Sequence, residues 1–102
     1  MPQVALLSRV RAKPGQGAAL IAAFRPVFEL AEQEPGTLVY ALNRAQDDPD
    51  VFWVSELYTD DEAFATHRDG AAMAAAAPAL AAVIAEAEVI IGEPVSAKGM
   101  PA

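Results

Sequence analysis

Apolar residues that first alternate, then recur at helical spacing, then repeat that succession predict an α+β domain with the element order β-α-β-β-α-β. Turn signals at Lys13-Pro14-Gly15 and Glu34-Pro35-Gly36 separate the first three elements. This order is the ferredoxin-like split β-α-β arrangement, a four-stranded antiparallel sheet with helices on one face. The second and third strands carry apolar residues on both faces, yet helices can cover only one. A second copy of the same sheet is the simplest cover for the other, so a homodimer with a barrel-like sheet sandwich is expected.

The first strand is read between Gln3 and Ala12, where Val4, Leu6, Ser8 and Val10 share one side. From Gly17 the period changes, with Leu20, Phe24, Val27 and Ala31 at helical spacing and Pro26 expected to kink the helix. Thr37 to Arg44 alternates again, turning Leu38, Tyr40 and Leu42 one way and Val39, Ala41 and Asn43 the other. The polar run 45–50 is a turn leading into the strand Val51–Thr59 and makes the pair an antiparallel hairpin. In that strand Phe52, Val54, Glu56 and Tyr58 share one face, and Val51, Trp53, Ser55 and Leu57 the other, which is the predicted dimer face. Thr59-Asp60-Asp61-Glu62 has the spacing of a capping box for a short helix carrying Ala63, Phe64 and His67 on one face. An alanine-rich helix follows over 71–86, interrupted at Pro78, and the last strand is read over 87–95. Residues 1–96 then form one domain and 97–102 a loose tail.

Composition narrows the function. Seven basic residues against fourteen acidic ones give a net charge of −7, and no Lys/Arg cluster appears. Nucleic acid and anionic membranes are therefore not expected partners. Without cysteine there is no thiolate chemistry, and a single histidine cannot make a standard zinc or iron site. Gly15-Gln16-Gly17 lacks the context of a dinucleotide fingerprint, and the run of aspartates at 47–50 reads as a solvated turn, so no cofactor is expected. The first residues lack the layout of a signal peptide and no run spans a membrane, which makes a cytoplasmic location the default.

The motifs Lys13-Pro14-Gly15, Glu34-Pro35-Gly36-Thr37-Leu38-Val39-Tyr40, Asp47-Asp48-Pro49, Phe52-Trp53-Val54-Ser55-Glu56-Leu57-Tyr58 and His67 stand in an order that resembles the antibiotic-biosynthesis monooxygenase family. The resemblance covers the chain to Pro94 and implies a dimeric α+β barrel, with cofactor-free quinol oxygenases and more distant haem-degrading enzymes among its relatives. Glu56 matches the glutamate of the family's Glu-x-Trp strand motif, with Tyr58 in place of the aromatic. His67 matches a histidine common on the following helix, and Ser8 takes the position of an asparagine in the haem-degrading branch. The haem ligand of that branch falls among alanines near Ala77. A second oxygenase histidine is replaced around Ala72, and an arginine often found before the Glu-Pro-Gly turn is Glu32.

A carboxylate on the covered face of a strand must be paired, hydrogen-bonded or protonated, and a partner in His67 or a tyrosine would serve Glu56. Two readings compete. In one, Glu56 and His67 are a tuned acid–base pair, with Tyr58, Tyr40, Phe24, Phe64 and Ser8 around a small aromatic substrate such as a hydroquinone or polyketide-like phenol. In the other, they bridge helix and sheet in a dimeric barrel that binds a small hydrophobic ligand without turnover. Haem degradation is a third possibility, opposed by the alanines near Ala77. A catalytic N-terminal Pro2, as in some tautomerases, is a single-residue coincidence on a different fold.

Overall fold

The computed structural model of the chain describes residues 2–100. Its elements are β1 (Val4–Ala12), α1 (Gly17–Ala31), β2 (Thr37–Arg44), β3 (Val51–Tyr58), α2 (Asp61–Arg68), α3 (Ala71–Val83) and β4 (Ile84–Gly92). The strands form one antiparallel sheet in the order β2-β3-β1-β4, as a split β-α-β fold requires.

The strand parity read from the sequence sorts the two faces. Val4, Leu6 and Val10 of β1 and Phe52, Val54, Glu56 and Tyr58 of β3 are buried beneath the helices. Leu20, Phe24 and Val27 of α1 and Ala76 and Leu80 of α3 join Val10, Phe52 and Val54 in one hydrophobic core. Burial of such side chains contributes roughly 1.5–3 kcal/mol each and holds the helical layer on the sheet. On the opposite face Leu7 and Ile90 stand opposite one another and are exposed. Leu57 is the exception, fully buried there, in a shallow depression shared with Ala5, Val39 and Met100.

Neither internal proline ends its helix. Pro26 and Pro78 lie inside α1 and α3, and both are exposed. The carbonyls each leaves unpaired, four residues earlier at Ala22 and Ala74, are also on exposed residues, where water can serve them.

The last helix and strand depart from the sequence-based bounds. The helix stops at Val83 rather than 86, and the strand runs Ile84–Gly92 rather than 87–95. The alternation Ala-Glu-Ala-Glu, which continues an alanine-rich helix on paper, serves the sheet better. Glu86 and Glu88 fall opposite Arg11 and Arg9 of β1, and the Val83 carbonyl accepts from the Lys13 amide at 2.8 Å.

The cap of α2 also shifts by one residue. Asp60, in extended conformation, accepts from the Ala63 amide at 2.8 Å, while Thr59 donates its own amide to the Gly36 carbonyl at 3.0 Å. Two of the hairpin aspartates likewise have set tasks. Asp50 accepts from the amides of Gly15 and Gly17, and Asp48 accepts from Arg11, tying this turn to the one after β1. Among the described residues no helix is long and apolar enough to cross a membrane.

Candidate functional site

A cavity of about 370 Å³ lies between the covered face of the sheet and the helices. Its size is in the range of small-molecule pockets, and its walls are mostly apolar. Ser8, Phe24, Tyr40, Glu56, Phe64 and His67 all line it, together with Met73 and Leu80 of α3. Tyr58 does not. It is fully buried behind the lining, hydrogen-bonded to Glu56 and packed against the rings of Phe64 and His67.

Glu56 occupies the middle of β3, and its two oxygens have separate partners. The Tyr58 hydroxyl, two residues on and on the same face, donates to Oε1; the Ser8 hydroxyl, from the neighbouring strand, donates to Oε2 at 3.2 Å. Burial pushes the carboxyl above its ordinary value, against the Tyr58 hydrogen bond, the His67 charge and the Ser8 hydrogen bond, which favour ionisation. Burial is also the main reason that both tyrosine hydroxyls are pushed upward, with the negative charge of Glu56 adding to it. Both therefore remain neutral donors at physiological pH.

The upward shift of Glu56 has a thermodynamic consequence. The folded protein holds this proton to higher pH than the unfolded chain, whose reference value is 4.5. The associated stability is fully present below that value and is lost as pH rises through the folded-state value. In Glu56→Gln this titration is absent. Urea midpoints measured across the acid range should fall more steeply with rising pH, or rise less, in the wild type than in the variant. Parallel profiles for the two proteins would refute the assignment.

The carboxylate bonded to His67 is Glu34, not Glu56. His67 Nδ1 lies 2.7 Å from Glu34 Oε1, and the side chains are 3 % and 12 % exposed. The Thr37 hydroxyl donates to the same oxygen at 3.1 Å. A carboxylate only accepts, so Nδ1 is assigned the proton, and whenever the ring is neutral Nε2 keeps its lone pair. Nε2 is buried and has no hydrogen-bond partner among the described residues. Such a group costs about 1–3 kcal/mol unless something fills its valence, and this one belongs to a ring that lines an apolar cavity. Two tyrosine rings pack near it, the His67 centroid lying 4.8 Å from that of Tyr40 and 5.5 Å from that of Tyr58.

Two features bring Glu34 and His67 together from positions 33 residues apart. The turn after α1 turns its carboxylate toward α2, and Gly36 in that turn lets α2 approach closely. A Cβ placed on Gly36 would lie 2.5 Å from Cβ of Ala63. In the sequence Glu34 reads only as part of a helix stop. The available signal was an acid and a threonine bracketing Pro35-Gly36, a turn that must face the helix carrying the sole histidine. Among the described residues no group of three or more His, Cys, Asp or Glu side chains is arranged to hold a metal ion.

The family model described as "Antibiotic biosynthesis monooxygenase" matches residues 4–79. Among solved structures, a protein from Chloroflexus aurantiacus described as a candidate antibiotic biosynthesis monooxygenase is 28% identical. The match covers 97% of this chain and 99% of that one, with a TM-score of 0.82. A protein of unknown function from Nitrosomonas europaea is 30% identical over 100% of this chain and 97% of its own, with a TM-score of 0.83. A Caulobacter crescentus structure at 24% identity, covering 93% of this chain and 92% of its own, has a TM-score of 0.86 and supports the fold. A comparison with curated proteins finds no match. With a family model matching most of its length, the chain belongs to the antibiotic biosynthesis monooxygenase family.

Proposed function

We propose that the protein is a cofactor-independent monooxygenase that oxidises a small phenol or hydroquinone with O₂. The observation that carries this reading is the unpartnered, buried Nε2 of His67, in a ring that is backed by the Glu34 carboxylate and lines a mostly apolar cavity. A phenol in the cavity would give its proton to Nε2, and Glu34 would stabilise the imidazolium that results. The phenolate is the reductant. Its electrons pass to O₂, a C–O bond forms at a ring carbon bearing hydrogen, and a hydroperoxide results. Loss of that C–H proton and cleavage of the O–O bond give a quinone and one water. One oxygen atom stays in the product and the other leaves as water, so no external reductant is needed.

Glu56 serves this chemistry as a second proton carrier. Burial favours its neutral form, which can donate toward the departing oxygen, and Tyr58 and Ser8 hold it in place. Phe24, Phe64 and Tyr40 provide apolar walls that exclude water from the phenolate. The protein works, on this reading, as a homodimer through the open sheet face, where Leu7 and Ile90 are exposed beside Val39 and Trp53.

Oxygen uptake over a panel of phenols and hydroquinones, with metal-stripped protein, tests the proposal. At least one substrate should be consumed with one O₂ per quinone formed, and the same preparation should sediment as a dimer. No uptake with any member of the panel would refute oxygenase activity toward this class; a monomer would remove the dimer alone.

A further inference from the structure

The cavity has a charge asymmetry that the oxygenase chemistry leaves unused. Its inner wall carries the carboxyl of Glu56, and Glu34 lies behind His67. Among the described lining residues one guanidinium is present, that of Arg68 in the last turn of α2, and no lysine. Its side chain is 55% exposed, which places it at the opening rather than the floor.

Arg68 is held in position from two sides. Its Cζ lies 5.2 Å from the ring centroid of Phe64, itself a wall of the cavity. Its Nε and Nη2 donate to the two carboxylate oxygens of Asp69 at 3.0 Å each. A guanidinium has five N–H donors, and this pairing uses two. The remaining three, along the outer edge, have no partner among the described residues. An ordinary surface ion pair accounts for the Asp69 contact. It does not account for a guanidinium fixed over an aromatic wall at the mouth of a mostly apolar cavity in a protein of charge −7.

We propose that Arg68 is an anion clamp at the cavity mouth and that the substrate is a phenol carrying a carboxylate at the end remote from its hydroxyl. The oxygenase reading supplies the word substrate; the clamp concerns binding and stands on its own geometry. The carboxylate end faces the free guanidinium edge, because the mostly apolar interior offers a buried charge no cationic partner. The hydroxyl end is thereby directed to Nε2 of His67. Arg68 is a specificity-determining residue and takes no part in the proton or electron transfers.

A matched pair of probes tests this: a hydroxynaphthoic acid with its two groups at opposite ends of the ring system, and the methyl ester of the same compound. Fluorescence titration of the wild type should show the acid bound about ten-fold more tightly than the ester, as a charge-assisted hydrogen bond provides. Arg68→Gln should abolish the difference by weakening the acid about ten-fold more than the ester, while Arg68→Lys should retain part of it. Equal binding of acid and ester by the wild type, failure of the acid to bind, or a preference that survives in Arg68→Gln would overturn the proposal. Acid preference without oxygen uptake would remove the oxygenase reading and leave the clamp. Oxygen uptake without acid preference would do the reverse.

Discussion

Glu34→Gln is expected to lower the rate of the proposed phenol oxidation by about 10³–10⁴-fold, the scale seen when the carboxylate behind a general-base histidine becomes an amide. The amide has two ways to meet His67 Nδ1, and both weaken the base. If its NH₂ faces the ring, Nδ1 must accept, the proton moves to Nε2, and the lone pair there is gone. If its carbonyl faces the ring, the tautomer survives, but the imidazolium formed on proton uptake loses the carboxylate now 2.7 Å from Nδ1. Ligand affinity should change little, because Glu34 does not line the cavity. The loss should therefore fall on kcat rather than KM.

Glu34 is a positioning residue, and the sole histidine makes that role readable without turnover. In ¹⁵N-labelled protein a single imidazole gives the ring signals, and their shifts distinguish Nδ1–H from Nε2–H. The wild type should show the Nδ1–H tautomer, and Glu34→Gln a shift toward Nε2–H or a mixture. An unchanged tautomer together with an unchanged kcat would detach Glu34 from the function of His67.

Why Glu56 was legible in the sequence and Glu34 was not follows from the range over which each signal acts. Glu56 lies within a strand, where period-two alternation alone places it with Phe52, Val54 and Tyr58 on the covered face. Ser8, Phe24 and Tyr40 reach the cavity by the same local logic of strand parity and helical spacing. The role of Glu34 depends on a tertiary fact, the approach of α2 to the turn after α1, and no periodicity encodes that. The same limit explains the pairing of His67. Two carboxylates could serve it on sequence grounds, and only the folded chain shows Glu56 bonded to Tyr58 and Ser8 and the ring bonded to Glu34. The start of β4 failed for a local reason instead. Alanine is compatible with helix and strand alike, so 84–86 carried no decisive signal until Arg9 and Arg11 supplied cross-strand partners for the glutamates.

Gly36 is where fold and site meet, and Gly36→Ala should damage both. The backbone there is not in the left-handed region, since the positive-φ glycines among the described residues are Gly15 and Gly99. The cost of a methyl group is therefore steric. The new Cβ would stand 2.5 Å from Cβ of Ala63 and 3.3 Å from Oγ1 of Thr59. Two methyl groups cannot approach so closely, and Ala63 sits in the first turn of α2, so relief requires the helix to move. Such overpacking costs typically 1–3 kcal/mol, which for a domain of this size lowers Tm by roughly 5–15 °C. Displacing α2 also lengthens the bond between Glu34 and His67, so oxidation should slow more than the loss of folded protein explains. Ala63→Gly alone should cost about 1 kcal/mol through helix propensity. Combined with Gly36→Ala it removes the clashing methyl, so the double variant should be more stable than the sum of the single changes by about 1 kcal/mol or more, and should recover the Nδ1–H tautomer. Additive losses of stability, with no recovery of the tautomer, would mean that contact at Gly36 does not set the distance between helix and turn.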